Sequence, residues 1–414
     1  MALKIIGFSF MPYMDLPKDF DQKYSSIWVD IPKSLYDPEK GHRMYNEFLD
    51  EFELMVDMGF DGIGVNEHHS DGGCLMPSPN LMASILARKV RDTNTALLVL
   101  GNSIALYNPA IRIAEEGAML DVLSGGRFIQ GFPVGTSMDT NYTYGVSPAE
   151  LRERYQEAHD LILKAWKEEE IFSWNGKYNQ LRYVNPWPRP MQNPHPPVWI
   201  PGGGSVETYE FTIQNNYQFS YLSFSGWERA KKVLGPYWDL VQEHGAEMNP
   251  HRVGLTQAIF VSETDESAKR EYEEHYRYFL RTASHVHPHF AEAPGYRTEK
   301  SLRAGLNSQY LKGGGSAFNP KEATWEELIE KGVIIAGSPS TVRDRLIAAA
   351  KDLRVGTIFA MMHIGSMPRW LTMKNIQMFA QEVKPHLQDL WSEWDASPYW
   401  PTGVNANNEV LTKR

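Results

Sequence analysis

The sequence predicts an α/β protein, a TIM-like (β/α)8 barrel with insertions. Short apolar runs alternate with longer segments of helical period along most of the chain, the mark of βα units around a parallel sheet. Eight such runs can be counted, and several of the helices between them open on legible cap signals. At 414 residues, 42% hydrophobic and 22% charged, the chain has the size of one barrel with added segments and the composition of a globular protein. An open doubly wound sheet would give similar local signals; the count of eight favours closure.

In order, "LKIIGFSF" (3–10) reads as the first strand, followed by a long irregular loop (11–42). Phe48, Phe52, Met55 and Val56 then set a helical spacing over 45–58, stopped by Gly59. "FDGIGV" (60–65) is the second strand, and a helix over 79–90 leads to the third, "TALLVLGN" (95–102). A helix over 109–123 precedes "GRFIQGF" (126–132). In "SPAE" (147–150), Ser147 offers an N-cap, Pro148 a first helical position and Glu150 the closing member of a capping box. Leu151, Tyr155, Ala158, Ile162 and Ala165 share one face of the helix it opens. "PVWIPG" (197–202), "NYQFSYLSF" (216–224) and "VGLTQAIFV" (253–261) supply three more strands. "SPST" (338–341) repeats the cap-then-proline logic ahead of Val342, Leu346, Ala349 and Leu353, and "VGTIFAMMH" (355–363) is the eighth strand. The stretch 284–336 breaks this rhythm and reads as an insertion, a candidate lid with glycines 313–315 as its hinge. The expected organisation is one barrel domain over 1–386 and a tail over 387–414, rich in Trp, wrapping the surface.

Composition excludes several classes. A formal net charge of −10, with basic residues scattered among more numerous acids, lacks the dense positive face that nucleic acid requires. No apolar run approaches the roughly 20 residues that span a bilayer. The N-terminal "MALKIIGFSFMPYMD" carries no basic region, apolar core and cleavage site in series, so a cytoplasmic protein is expected. The single cysteine, Cys74, leaves no intrachain disulfide and no multi-cysteine zinc site.

Three stretches could carry chemistry. "GVNEHHSDGG" (64–73) places Glu67, His68 and His69 at a strand end, where a βα barrel keeps its functional groups. Neighbours on extended chain point to opposite faces, so only alternate residues reach one pocket. A metal site, an acid–base site and a polar loop all fit this stretch; His285, His287, His289 and His363 are available as further ligands, but their spacing forms no zinc or iron motif. In "WIPGGGSVETYEF" (199–211) a strand runs through glycines into a helix capped by Ser205. Gly203 and Gly204 there free backbone N–H groups to face an anion, although a glycine turn of mere geometry reads the same way. In the third stretch, 97–132, the small residues Gly101, Asn102 and Ser103 leave room for a planar ligand beside the backbone.

Taken together and in order, "GFDGIGVNEHHSDGG", "PNLMASILARKVRDTNTALLVLGNSIALYNPAIRIAEEGAMLDVLSGGRFIQGF", "NYTYGVSPAELRERYQEAHDLILKAW" and "GGGSVET" resemble the bacterial luciferase-like flavin-dependent monooxygenases. "IIAGSPSTVRDRL" and "MPRWLTMKNIQMFAQEVKPHL" resemble the closing segments of that family, so the resemblance covers roughly 1–265 and 333–386. It implies a barrel that binds reduced FMN, reacts it with O2, and uses a C4a-peroxyflavin to oxygenate a small, apolar organic substrate. His68 matches the histidine that lines the flavin site, with a role suited to a side chain titrating near neutrality. Asn102 matches the strand end under the isoalloxazine, where a non-prolyl cis peptide is common in the family. Gly203, Gly204, Ser205 and Thr208 match the turn that holds the FMN phosphate.

Light-emitting relatives carry Cys-Arg where this chain has "FPVG" (132–135), with Val134 at the Arg position. No nicotinamide fingerprint is visible, so a separate flavin reductase is the expected partner, delivering reduced flavin by diffusion. Trp199, Phe224 and Tyr107 would suit an apolar substrate, with core packing as their alternative. A deazaflavin-dependent oxidoreductase and a non-catalytic flavin-binding subunit are the competing readings. The resemblance also implies a homodimer through the helices at 79–91 and 109–123, where Ala83, Ala87, Ala114 and Ala118 would permit close approach.

Overall fold

The computed structural model describes residues 2–134, 138–222, 224–291, 295, 298, 299 and 318–405. Its centre is a closed barrel of eight parallel strands. These are β1 (Lys4–Phe8), β2 (Gly62–Val65), β3 (Ala96–Val99), β4 (Phe128–Gly131), β7 (Val198–Gly202), β8 (Gln218–Tyr221), β9 (Val253–Val261) and β11 (Thr357–Met361). The ring closes where β8 meets β9, with Phe219 opposite Val253, and where β11 meets β1, with Phe359 opposite Ile6. Between β4 and β7 stands a separate antiparallel hairpin, β5 (Phe172–Asn175) and β6 (Gln180–Val184). A ninth strand of the sheet, β10 (Ile334–Gly337), pairs along the far half of β9, Ala258–Val261.

Alternation along the strands divides the core in two. Ile6, Phe8, Ala96, Leu98, Ile129, Trp199 and Phe359 pack together inside the barrel. Ile5, Ile63, Val65, Leu97, Val99 and Phe219 face the surrounding helices. Gly64 is matched to this filling, because a Cβ there would stand 3.2 Å from the Phe8 ring and 3.4 Å from Leu98.

The helices that matter below are α1 (Pro38–Asp57), α2 (Pro79–Val90), α3 (Ile111–Ser124), α4 (Met138–Tyr144), α5 (Leu151–Lys167), α6 (Val206–Gln214), α7 (Trp227–Glu243), α8 (Asp265–Arg281), α9 (Pro339–Leu353) and α10 (Arg369–Met378). Helix α1 starts two turns before the expected 45, since Asp37 accepts the N–H groups of Glu39 and Lys40 and Pro38 takes the first position. The capping box expected at Ser147 does not form. Pro148–Glu150 make a 3₁₀ turn, the Ser147 side chain caps nothing, and Glu150 pairs with Arg154 at 3.0 Å. Ser338, by contrast, accepts the Thr341 N–H and caps α9.

Two further expectations change. The region read as insertion ends in regular structure, a short helix Trp325–Glu330 with buried Trp325 and Leu328, then β10. The glycines at 313–315 lie outside the described residues. The tail does not merely wrap the surface. Trp400 is 2% exposed and packs on Trp199 at a ring separation of 6.0 Å, and Trp199 donates to the Tyr399 carbonyl at 2.8 Å. Lys4, at the start of β1, sits 4.9 Å from the Trp400 ring, so the tail stoppers the N-terminal end of the barrel. Among the described residues no helix is long and apolar enough to cross a membrane.

Candidate active site

The loops that leave the C-terminal ends of β2, β3, β4 and β7 share one rim, and the chemistry-bearing residues gather there. Past β2 the chain stays extended and its side chains alternate. Glu67 and His69 take the same side and bond to each other at 2.9 Å. The Glu67 carboxylate also accepts the Ser103 N–H at 2.8 Å and the Tyr107 hydroxyl at 2.9 Å. It is a brace between the ends of β2 and β3, and Tyr107 is a partner of that brace.

His68 turns the other way. Its Nδ1 lies 2.9 Å from Oδ2 of Asp139, on α4, and that oxygen also accepts the His69 N–H at 3.0 Å. Asp71 Oδ2 stands 4.0 Å from the same Nδ1. The imidazole lies between the Trp28 ring, stacked at 6.0 Å, and the Phe10 ring at 6.1 Å. Phe10 in turn meets Phe224, which meets Phe279 on α8, so apolar rings line the approach. The side chain is 21% exposed, and its Nε2 has no partner among the described residues.

Burial opposes a charge on His68, but the carboxylates of Asp139, Asp71 and Glu67 outweigh it and raise the imidazole to about 9. That lies above the near-neutral titration expected for His68, and favours its protonated form at pH 7. In that form Nδ1–H is spent on Asp139, and Nε2–H is the donor left for a ligand. Burial likewise raises the Asp71 carboxyl, to about 7, against the pull of His68. Asp139 and Asp71 carry no motif of their own in the sequence. The available signal for Asp139 was its position just after the fourth strand, where a barrel brings it to the same rim as His68.

Asn102 is fully buried beyond β3. Its Oδ1 accepts from Gln130 at 3.0 Å, its N–H donates to the Gly131 carbonyl at 3.2 Å, and its Nδ2 has no partner among the described residues. Its carbonyl accepts the Ile104 N–H at 2.8 Å, so both backbone polar groups are spent within the chain. The cis peptides among the described residues all precede proline, and none is at Asn102. After β7, Ser205 caps α6 by accepting the Thr208 N–H, and the two hydroxyls lie 3.0 Å apart. Gly204 has φ +94°, and a Cβ there would stand 2.4 Å from the Tyr209 hydroxyl; a Cβ on Gly203 would meet nothing within 4 Å. The exposed glycine N–H groups at a positive helix end fit an oxyanion such as a phosphate. His68, Asn102 and the Gly203–Thr208 turn thus share the rim without touching one another.

Other residues fall elsewhere. His363 is 2% exposed and bonded to Glu51 of α1 at 2.9 Å. His285 binds the Tyr24 carbonyl. Trp199, read as a possible substrate contact, belongs to the opposite end of the barrel, under Trp400. A cavity of about 760 Å³ opens at that end too, between α5, Asn215–Tyr217 and Ser397–Trp400, remote from His68. Among the described residues no group of three or more His, Cys, Asp or Glu is placed to hold a metal ion.

Fold and rim together define a parallel-barrel enzyme. Residues 30–355 match the family described as luciferase-like monooxygenase, and the chain belongs to that family, an oxidoreductase with a flavin-type cofactor. The oxygenase component of the flavin-dependent trigonelline monooxygenase of Acinetobacter baylyi is 26% identical over 264 residues, 61% of this chain and 70% of that protein. Among solved structures, the oxygenating constituent of 3,6-diketocamphane monooxygenase from Pseudomonas putida, in complex with FMN, matches with TM-score 0.66 at 20% identity. That match covers 93% of this chain and 99% of the other. An F420-dependent secondary alcohol dehydrogenase matches with TM-score 0.62 at 16% identity over 94% and 100% of the two chains. The same barrel therefore serves two kinds of flavin-type cofactor.

Proposed function

We propose that this chain is the oxygenase of a two-component system, taking reduced FMN from a separate reductase and oxygenating a small, apolar organic substrate. The observation that carries this reading is the partly exposed His68 imidazole, its Nδ1 fixed 2.9 Å from Asp139, on an aromatic-lined rim. When bound, reduced FMN supplies two electrons to O2, so that one oxygen atom enters the substrate and the other leaves as water. The residues of this chain do the rest. The N–H groups of Gly203 and Gly204, with the Ser205–Thr208 cap, hold the phosphate. Asn102, at the end of β3, flanks the ring system. His68 Nε2–H donates to oxygen, and Phe10, Phe224 and Trp28 keep water from it.

Anaerobic titration with reduced FMN and with reduced F420, followed by admission of ¹⁸O2 in the presence of trial substrates, tests the reading. Reduced FMN is expected to bind and one labelled atom to enter product. Binding of reduced F420 alone, with no oxygen consumed, would replace it with hydride transfer by a deazaflavin.

We also propose a homodimer through α2 and α3, but not through the alanines. Ala83, Ala87, Ala114 and Ala118 are all fully buried within the chain. The surface these packed helices present is instead Leu81, Ile85, Met119, Val122 and Leu123, which are 41–67% exposed, an apolar patch of the kind that marks an interface.

A further inference from the structure

Trp28 lies in the long loop after β1, two residues before the family match begins, and the reading above gives it only a share in keeping water out. Its placement is nonetheless heavily determined. Trp28 and Asp71 form an isolated antiparallel bridge that clips this loop to the one after β2. Val29 N–H donates to the Ser70 carbonyl at 2.8 Å, and Gly72 N–H to the Ile27 carbonyl at 3.3 Å. Both loops bend to make the clip: Val29 sits at φ 64° and Ser70 at φ 46°. A β-branched residue in that region is a costly conformation, kept only where the surroundings over-determine it.

The clip delivers one side chain to two partners. The Trp28 ring stacks on His68 with 26° between the planes, and the Trp28 side chain pulls the Asp71 carboxyl down against its burial. An indole face favours a neighbouring cation, and an indole N–H steadies the carboxylate that faces that cation. We propose that Trp28 is a positioning residue that holds His68 as an oriented imidazolium, through its ring face directly and through its N–H by way of Asp71. This rests on the oxygenase reading for its bearing on catalysis, but not for its effect on the histidine. The groups facing His68 are Asp139 from α4, Asp71 and Glu67 from the loop after β2, and the rings of Trp28 and Phe10.

The test is an NMR titration of the His68 imidazole in the cofactor-free protein, for wild type, Trp28→Phe and Trp28→Leu. Trp28→Phe keeps a ring face and loses the N–H; Trp28→Leu loses both. The midpoint is expected to fall in Phe and further in Leu, by roughly one pH unit in the latter. The alkaline limb of kcat should move with it, leaving KM for substrate nearly unchanged. A midpoint unmoved in both variants, each shown folded by near-ultraviolet circular dichroism, would overturn the proposal. A midpoint that falls while turnover survives His68→Ala would instead uphold the proposal and overturn the oxygenase role given to His68.

Discussion

At the scale of single residues, the site is decided by where charge is held. Three carboxylates surround one imidazole, and their attraction exceeds its desolvation cost, so His68 keeps its proton through neutrality. If His68 donates that proton, turnover should be flat below neutrality and fall as pH rises through about 9; a pH–rate profile checks this. His68→Ala should lower kcat by roughly 10²–10⁴, measured with reduced FMN supplied chemically. Asp139→Asn keeps a partner for Nδ1 but removes the charge, and should carry the alkaline limb towards neutrality. The same proton bears on stability. The folded-state pKa lies above the unfolded one, so the contribution is complete below pH of about 6.5 and is lost as pH climbs through about 9. Denaturant midpoints of wild type and His68→Gln should therefore converge at alkaline pH.

At the scale of elements, two similar sequence signals part company. Ser338 and Ser147 both precede proline, yet only Ser338 takes up the cap bond. Ser338→Ala should cost about 1 kcal/mol and Ser147→Ala a few tenths, read from denaturant unfolding. The difference is that Pro148–Glu150 make a separate 3₁₀ turn and Glu150 is spent on Arg154. The β5–β6 hairpin shows the reverse case, an element with a weak periodicity signal held by one side chain. Glu157 of α5 accepts the N–H groups of Lys177 at 2.7 Å and Asn179 at 2.6 Å. The turn between the strands is closed by the Gly176 N–H donating to the Asn179 carbonyl at 2.9 Å.

At the scale of the whole molecule, the tail and the exposed helix pair matter most. Trp400→Ala opens the stopper under the barrel and should cost about 3–5 kcal/mol, while leaving the His68 titration where it is, since the two lie at opposite ends. Ile85→Glu places a charge in the apolar patch of α2 and α3, and should shift a dimer to monomer in sedimentation. The sequence by itself determined the alternation of strands and helices, the count of eight that favoured closure, and the strand-end positions of His68, Asn102 and the Gly203–Thr208 turn. Those follow from hydrophobic period, glycine placement and chain order, which are local. Only the tertiary structure decided that Asp139, 71 residues beyond His68, sets its charge. It alone showed that the alanines of α2 and α3 face inward, that Trp199 belongs to the far end, and that the tail's Trp400 completes the core. Each of these is a contact between segments distant in the chain, formed by packing and electrostatics that no local pattern encodes.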